Sequence, residues 1–168
     1  GMVVQLTAVD WEALGFTGQL GGLAFQRSVE KTCWEAAGQS QCAPAQRLID
    51  FLSGDHGRTS KDLPQCSYLP GVASVNLREL LPDVISDSLA AGLRTFCQRM
   101  PRYKDREAIL IAPESRTSSP IRIPRDQKTL MHPDVTGLYP CGEGGGHAGG
   151  ILSAALDGMR VADAVSRT

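Results

Sequence analysis

The feature that most constrains this chain lies near its end. Of its 18 glycines, seven fall between Gly142 and Gly158. Six of these sit in the run Gly142-Glu143-Gly144-Gly145-Gly146-His147-Ala148-Gly149-Gly150. Such density marks backbone that turns sharply or lies against a ligand, because glycine alone tolerates positive φ and presents no side chain. Before it, residues 137–141 read as a short strand. After it, Ile151, Leu152, Ala155, Leu156, Met159, Ala162 and Val165 follow helical spacing and predict an amphipathic helix buried on one side. The order is strand, glycine loop, helix.

That order has chemical consequences. A helix N-terminus carries unpaired N–H groups and about half a positive charge. Glycines ahead of it let a phosphate or another electron-rich ligand edge approach. Glu143 adds a fixed acceptor, suited to a ribose- or ribityl-type hydroxyl. The loop is not a P-loop, since no Gly-Lys-Ser/Thr follows. It is not the first turn of a dinucleotide-binding βαβ unit either, because no second strand follows the helix. A purely structural glycine turn is the competing reading.

The rest of the chain predicts a mixed α and β protein. Val3 to Val9 has strand character. Helical periodicity runs over 23–37 through Leu23, Phe25, Val29, Cys33, Trp34 and Ala37. Pro44 at a first turn predicts a second helix over 44–52. Residues 54–66 are polar and turn-rich and predict a mobile surface loop. A short extended piece falls within 68–75, and Asn76 is an N-cap for the turn that follows. Pro82 opens a long helix with a stripe of Val84, Ile85, Leu89, Leu93, Phe96 and Met100, and Pro101 closes it. Residues 108–112 read as a buried strand and 121–123 as a short one. Trp34 and Phe96 are expected in the core, and Tyr68 either packs beneath Pro70 or lines a substrate pocket.

Composition removes several classes of function. With 168 residues the chain fits one domain, or a domain with a small appendage. Seventeen Lys and Arg against 18 Asp and Glu leave a formal charge of −1, which argues against a nucleic-acid binder. No apolar run approaches the roughly 20 residues that span a bilayer, so no membrane association is expected. Gly1-Met2 reads as a cleavage scar before an initiator Met, and no secretory signal follows. Five cysteines, Cys33, Cys42, Cys66, Cys97 and Cys141, have no CxxC spacing and an odd count. They read as reduced thiols of a cytoplasmic protein. His56, His132 and His147 have no ligand spacing around them, so no metal site is expected.

Several segments together carry a resemblance. Residues 138–164 (LYPCGEGGGHAGGILSAALDGMRVADA), 116–126 (RTSSPIRIPRD), 43–47 (APAQR) and 68–72 (YLPGV) resemble the C-terminal end of a bacterial family of FAD-dependent dehydrogenases, also termed NAD- or FAD-utilising. The resemblance covers most of residues 20–166. It implies an α+β chain derived from an α/β flavoprotein of the two-dinucleotide-fold type. Residues 1–107 would be a largely helical insert on the substrate side. Residues 108–168 would be the C-terminal portion of the FAD-binding domain, with a small sheet packed on the C-terminal helix.

By the same resemblance, Gly142-Glu143 places its carboxylate near the flavin ribityl chain. Gly144, Gly145, Gly146 and His147 continue the cofactor loop, and Ala148, Gly149, Gly150 and Ile151 lie by the isoalloxazine. Arg116, Thr117, Ser118 and Ser119 would face the flavin or a small-molecule substrate, with Arg116 as a cation. NAD(P)H would be an electron donor. The N-terminal GxGxxG unit that such proteins use for the ADP half of FAD has no counterpart here. The chain therefore reads as a fragment, inactive alone, whose partner is the missing FAD-binding portion or a second copy. Weak or no FAD binding by the chain alone is expected. The alternative is a non-catalytic binding or dimerisation module. No residue identifies itself as a catalytic acid or base. Cys141 is either a redox thiol or a small buried residue ending a strand. His147 is either a flavin contact or a polar loop residue. Arg116 and Arg122 either bind an anion or pair with Glu114 and Asp126.

Overall fold

Helical spacing accounts for the longest elements. The computed structural model describes residues 1–54 and 56–167. In chain order the elements are α1 (Ala8–Ala13), α2 (Gly21–Ala36), β1 (Ala43–Arg47), α3 (Leu48–Phe51), β2 (Val72–Ser74), α4 (Leu77–Leu80) and α5 (Asp83–Arg99). A 3-10 turn (Pro101–Tyr103), β3 (Ile109–Ile111) and α6 (Ile151–Val165) follow. The fold is α+β. The chain divides into two compact units, one of Gly1–Asp10 with Phe25–Ser115, the other of Trp11–Ala24 with Arg116–Thr168.

The first unit is built on a three-stranded sheet in the order β2-β1-β3, with β1 parallel to β2 and antiparallel to β3. The segment 43–47 is therefore a central strand and not the start of a helix over 44–52. Pro44 is tolerated because the β1–β3 pairing spans Ala45 to Arg47, leaving its missing N–H beyond the ladder on that side. Its carbonyl still accepts from the Ala112 N–H at 3.0 Å. Only the last part of the expected helix, α3, forms.

Each residue of β1 has a packing reason. Ala43 and Ala45 are buried small residues in a crowded strand. Gln46 is fully buried and satisfied. Its Nε2 donates to the Arg58 carbonyl at 2.8 Å and to Asn76 Oδ1 at 3.2 Å, and its Oε1 accepts from the Leu77 N–H at 2.8 Å. Arg47 reaches Asp62 at 3.0 Å and Glu107 at 3.2 Å. Asn76 caps α4 by accepting from the Arg78 N–H, as its position predicts. Around the sheet lie Leu48, Phe51, Leu77 and Leu93, each almost fully buried. Burial of each such side chain contributes about 2 kcal/mol.

The polar loop of 54–66 docks onto this core where its residues are described. Ser60 is buried and donates to Asp50 Oδ2 at 2.7 Å, and Arg58 pairs with Asp50 Oδ1 at 2.7 Å. Polar composition here reflects buried hydrogen bonding as well as solvation. Asp55 lies outside the described residues.

The first helical stripe is narrower than expected, and that of α5 is shifted. In α2 the buried line is Phe25, Val29 and Cys33, continued by Ala37 just past its end, while Trp34 is 46% exposed. In α5 it is Ser86, Ala90 and Leu93, while Phe96 and Met100 are exposed. Phe96 meets Tyr103 with ring centroids 6.4 Å apart. That is a surface aromatic pair outside the core. Strands are fewer than the sequence pattern suggests. Residues 3–9, 121–123 and 137–141 form none, and β3 is half-exposed at the sheet edge. The sheet therefore comes mainly from 43–74 and not from 108–141.

Candidate functional site

In the second unit the glycine loop is held by a buried ion pair that the sequence reading missed. Arg125 pairs bidentately with Asp157 of α6, at 2.6 and 3.0 Å. Both side chains are almost fully buried. Arg125 also donates to the Pro140 carbonyl at 2.8 Å, and Asp157 Oδ2 accepts from the Gly142 N–H at 2.9 Å. One carboxylate thus ties the start of the loop to the helix that follows it. The Arg125 hydrogen bond lowers the Asp157 pKa to about 2, against the opposing effect of burial and with help from the Gly142 N–H. The available signal was Asp157 in the middle of an apolar helix, together with the Arg of Arg125-Asp126.

Backbone bonds close the loop on itself. The Gly146 N–H donates to the Glu143 carbonyl at 2.9 Å and the His147 N–H to the Gly142 carbonyl at 3.0 Å. The Ile123 N–H donates to the Gly145 carbonyl at 3.1 Å, and His147 Nε2 donates to the Ile123 carbonyl at 2.9 Å. His147 is therefore anchored through its ring to the 121–123 segment.

The glycines separate into two groups. Gly142 and Gly146 have φ of 70° and 77°, the left-handed region that favours glycine. A Cβ on Gly146 would lie 2.5 Å from the Ile121 carbonyl oxygen, and one on Gly145 would lie 3.0 Å from that of Cys141. These three are explained by the loop's own packing. Gly144 and Gly149 are not, since a Cβ at either meets nothing within 4 Å. Gly150 is extended, and its Cβ would make only an ordinary contact with Ser153.

The open glycines frame two accessible polar features. The first is the start of α6, where Gly150 provides no side-chain cap and the first turn has no acidic residue. The second is Glu143, half-buried and without a side-chain hydrogen bond among the described residues. Ser119 touches the loop, donating to the Ile121 carbonyl at 2.8 Å and the Gly144 carbonyl at 3.4 Å. Arg116, Thr117 and Ser118 are exposed. Cys141 is exposed and belongs to no strand. Arg122 makes no hydrogen bond or ion pair among the described residues. Pairing with Glu114 or Asp126 therefore does not occupy it. Asp126 instead accepts from the Lys128 and Thr129 N–H groups at 2.9 and 2.8 Å.

The helix after the loop has an unexpected orientation. Its apolar side faces outward, with Ile151 93% exposed, Leu152 74% and Met159 66%. Leu156 and Val165 are exposed as well, and the buried residues are Asp157 and Val161. In the first unit, a cavity of about 560 Å³ is lined by Glu30, Cys33, Trp34, Cys42, Tyr68 and Pro113. Tyr68 donates to the Gln41 carbonyl at 3.1 Å and lies in that wall, away from the core.

A family model described as FAD-dependent protein, C-terminal domain-like matches residues 1–117. The chain belongs to this family. An uncharacterized protein of Clostridium beijerinckii is 37% identical over 164 residues, which are 96% of this chain and 30% of the relative. The chain thus spans about 30% of the length of that curated relative. As a C-terminal portion of an FAD-dependent family, it presents groups that fit part of a flavin nucleotide. Open glycines leave room for a flat ring, free helix N–H groups suit an electron-rich edge, and Glu143 suits a hydroxyl. Among the described residues there is no metal-ligating cluster and no helix long and apolar enough to cross a membrane.

Proposed function

We propose that this chain is the flavin-side and substrate-side C-terminal part of an FAD-dependent oxidoreductase, inactive without the remainder of the enzyme. The observation that carries the reading is the juxtaposition of Gly144, Gly149 and Gly150, which have no internal packing need, with the uncapped start of α6 and the unbonded Glu143. Glu143 would accept from a ribityl hydroxyl, and the 148–151 segment would lie along the isoalloxazine. His147, held at Ile123, would fix the loop so that these groups are preorganised. Arg116 to Ser119 would border the flavin or substrate. The flavin, when bound, supplies the hydride chemistry, and NAD(P)H is the proposed donor.

The outward apolar face of α6 supports the fragment reading. Large exposed apolar patches rarely stay bare, and the curated relative has more than twice as much chain again outside the shared stretch. That additional polypeptide, the dinucleotide-binding portion with the ADP-side contacts, is the proposed occupant. Without it, FAD loses the adenosine and pyrophosphate contacts, and each 1.4 kcal/mol lost is about tenfold in affinity. The purified chain mixed with FAD should show no bound-flavin absorption band. In a full-length protein ending in this sequence, Glu143→Ala should lower FAD occupancy, and unchanged occupancy would sink the ribityl assignment. The same apolar face favours a second reading, a dimerising module, which concentration-dependent dimerisation without flavin uptake by the full-length protein would support.

A further inference from the structure

We infer that the second unit carries a separate binding site for a phosphate-bearing small molecule of nucleotide size. The site is an open cleft of about 1080 Å³ between the 122–130 segment and the C-terminal half of α6. Besides Arg125, four cations line it, Arg122 and Lys128 from the segment, Arg160 and Arg167 from the helix side. Arg160 and Ala164 are four residues apart on α6 and share a face, and Arg167 follows just past the helix end.

The charge is concentrated against the composition. The whole chain has a formal charge of −1, yet Asp163 is the only carboxylate in the lining. Arg125 also lines the cleft but is neutralised by Asp157. The nearby Asp126 is turned back onto the Lys128 and Thr129 backbone. Among the described residues neither Arg122 nor Arg160 has a hydrogen-bond or ion-pair partner. Like charges facing one another across a cleft repel unless an anion lies between them. Guanidinium forks bind phosphate oxygens bidentately, which makes phosphate the fitting anion.

Size and walls narrow the class. The volume exceeds what a lone phosphate fills and lies near the upper end of small-molecule sites. Pro124, Leu130 and Ala164 give the cleft an apolar wall suited to a base or sugar face. The C-terminal end of a helix carries partial negative charge, so side chains and not backbone N–H groups must hold the ligand. His147 is shared with the glycine loop, but its ring N–H is committed to the Ile123 carbonyl. The cleft therefore stands independently of the flavin reading.

The experiment uses this chain at physiological ionic strength and titrates ADP, pyrophosphate and adenosine by calorimetry. ADP and pyrophosphate should saturate, and adenosine should bind at least tenfold more weakly than ADP. Arg122→Ala and Arg160→Ala should each weaken ADP about tenfold, one charge-assisted contact, with melting temperature unchanged. Flavin uptake by a full-length protein ending in this sequence probes the glycine loop separately, and Arg122→Ala and Arg160→Ala should leave that uptake unchanged. No saturation by ADP or pyrophosphate, or ADP affinity unchanged in both variants, would overturn the site. ADP saturation without any flavin uptake by a full-length protein would uphold the site and overturn the flavin reading.

Discussion

Asp157 and Arg125 show how one pair organises a loop. Removing one partner from a buried ion pair leaves an uncompensated charge and costs about 3 kcal/mol or more. Asp157→Ala should therefore lower the melting temperature of the second unit and release Gly142, read by calorimetry and by amide exchange at 142–150. The pair also sets an acid limit. The Asp157 carboxyl titrates at about 2 against 3.8 without the fold, so its folded-state pKa is depressed. Its contribution is present above the unfolded value and lost as pH falls through the folded one, at most about 2 kcal/mol. Acid unfolding should be shallower in Asp157→Asn than in the parent, compared from pH 5 downward. In the first unit, Gln46 plays the equivalent part. Its Oε1 accepts from the buried Leu77 N–H. Gln46→Ala would strand that donor and should cost about 2 kcal/mol by denaturant unfolding.

At the scale of elements, the glycine loop separates its own needs from those of a ligand. Gly146→Ala combines a φ of 77° with a Cβ 2.5 Å from the Ile121 carbonyl oxygen. It should cost more than about 1 kcal/mol, and it should disturb the Ile123 to Gly145 hydrogen bond. At Gly149 an added Cβ meets no atom. Gly149→Ala should change stability by no more than about 0.5 kcal/mol, read by thermal unfolding. If Gly149→Ala nonetheless abolishes cofactor uptake in a full-length protein, that glycine serves the ligand. Some elements were legible beforehand for local reasons. α5 begins after Pro82 and ends before Pro101, and α4 begins just after its cap Asn76, because caps and proline act within one turn. β1 was not legible. Pro44 suits a first helical turn and a strand flank equally well, and only Val72–Ser74 and Ile109–Ile111 decide between them.

At the scale of the whole molecule, the outward face of α6 is the main anomaly. Apolar residues at Ile151, Leu152 and Met159 exposed to water favour association. Leu152→Gln with Met159→Gln should reduce self-association in light scattering. Its melting temperature should not fall, since neither side chain is buried here. In a full-length protein the same double substitution should instead destabilise, because the face would then be covered. Equal behaviour in both settings would show that the remainder of the chain lies elsewhere.

The amino-acid sequence by itself determined the long helices, the caps, the α+β class, the glycine loop before α6 and the membership of an FAD-dependent family. These follow from spacing within a few residues or from motifs in order. Tertiary structure decided which face of each helix is buried, that 43–47 is a central strand, and that Arg125 and Asp157 hold the loop. It also assigned separate reasons to neighbouring glycines. The physical cause is common to all four. Burial, strand pairing and ion pairing depend on partners tens of residues away, such as the 32 positions between Arg125 and Asp157. An apolar stripe shows only that a face can be buried, and the packing of this chain buries the opposite side of α6.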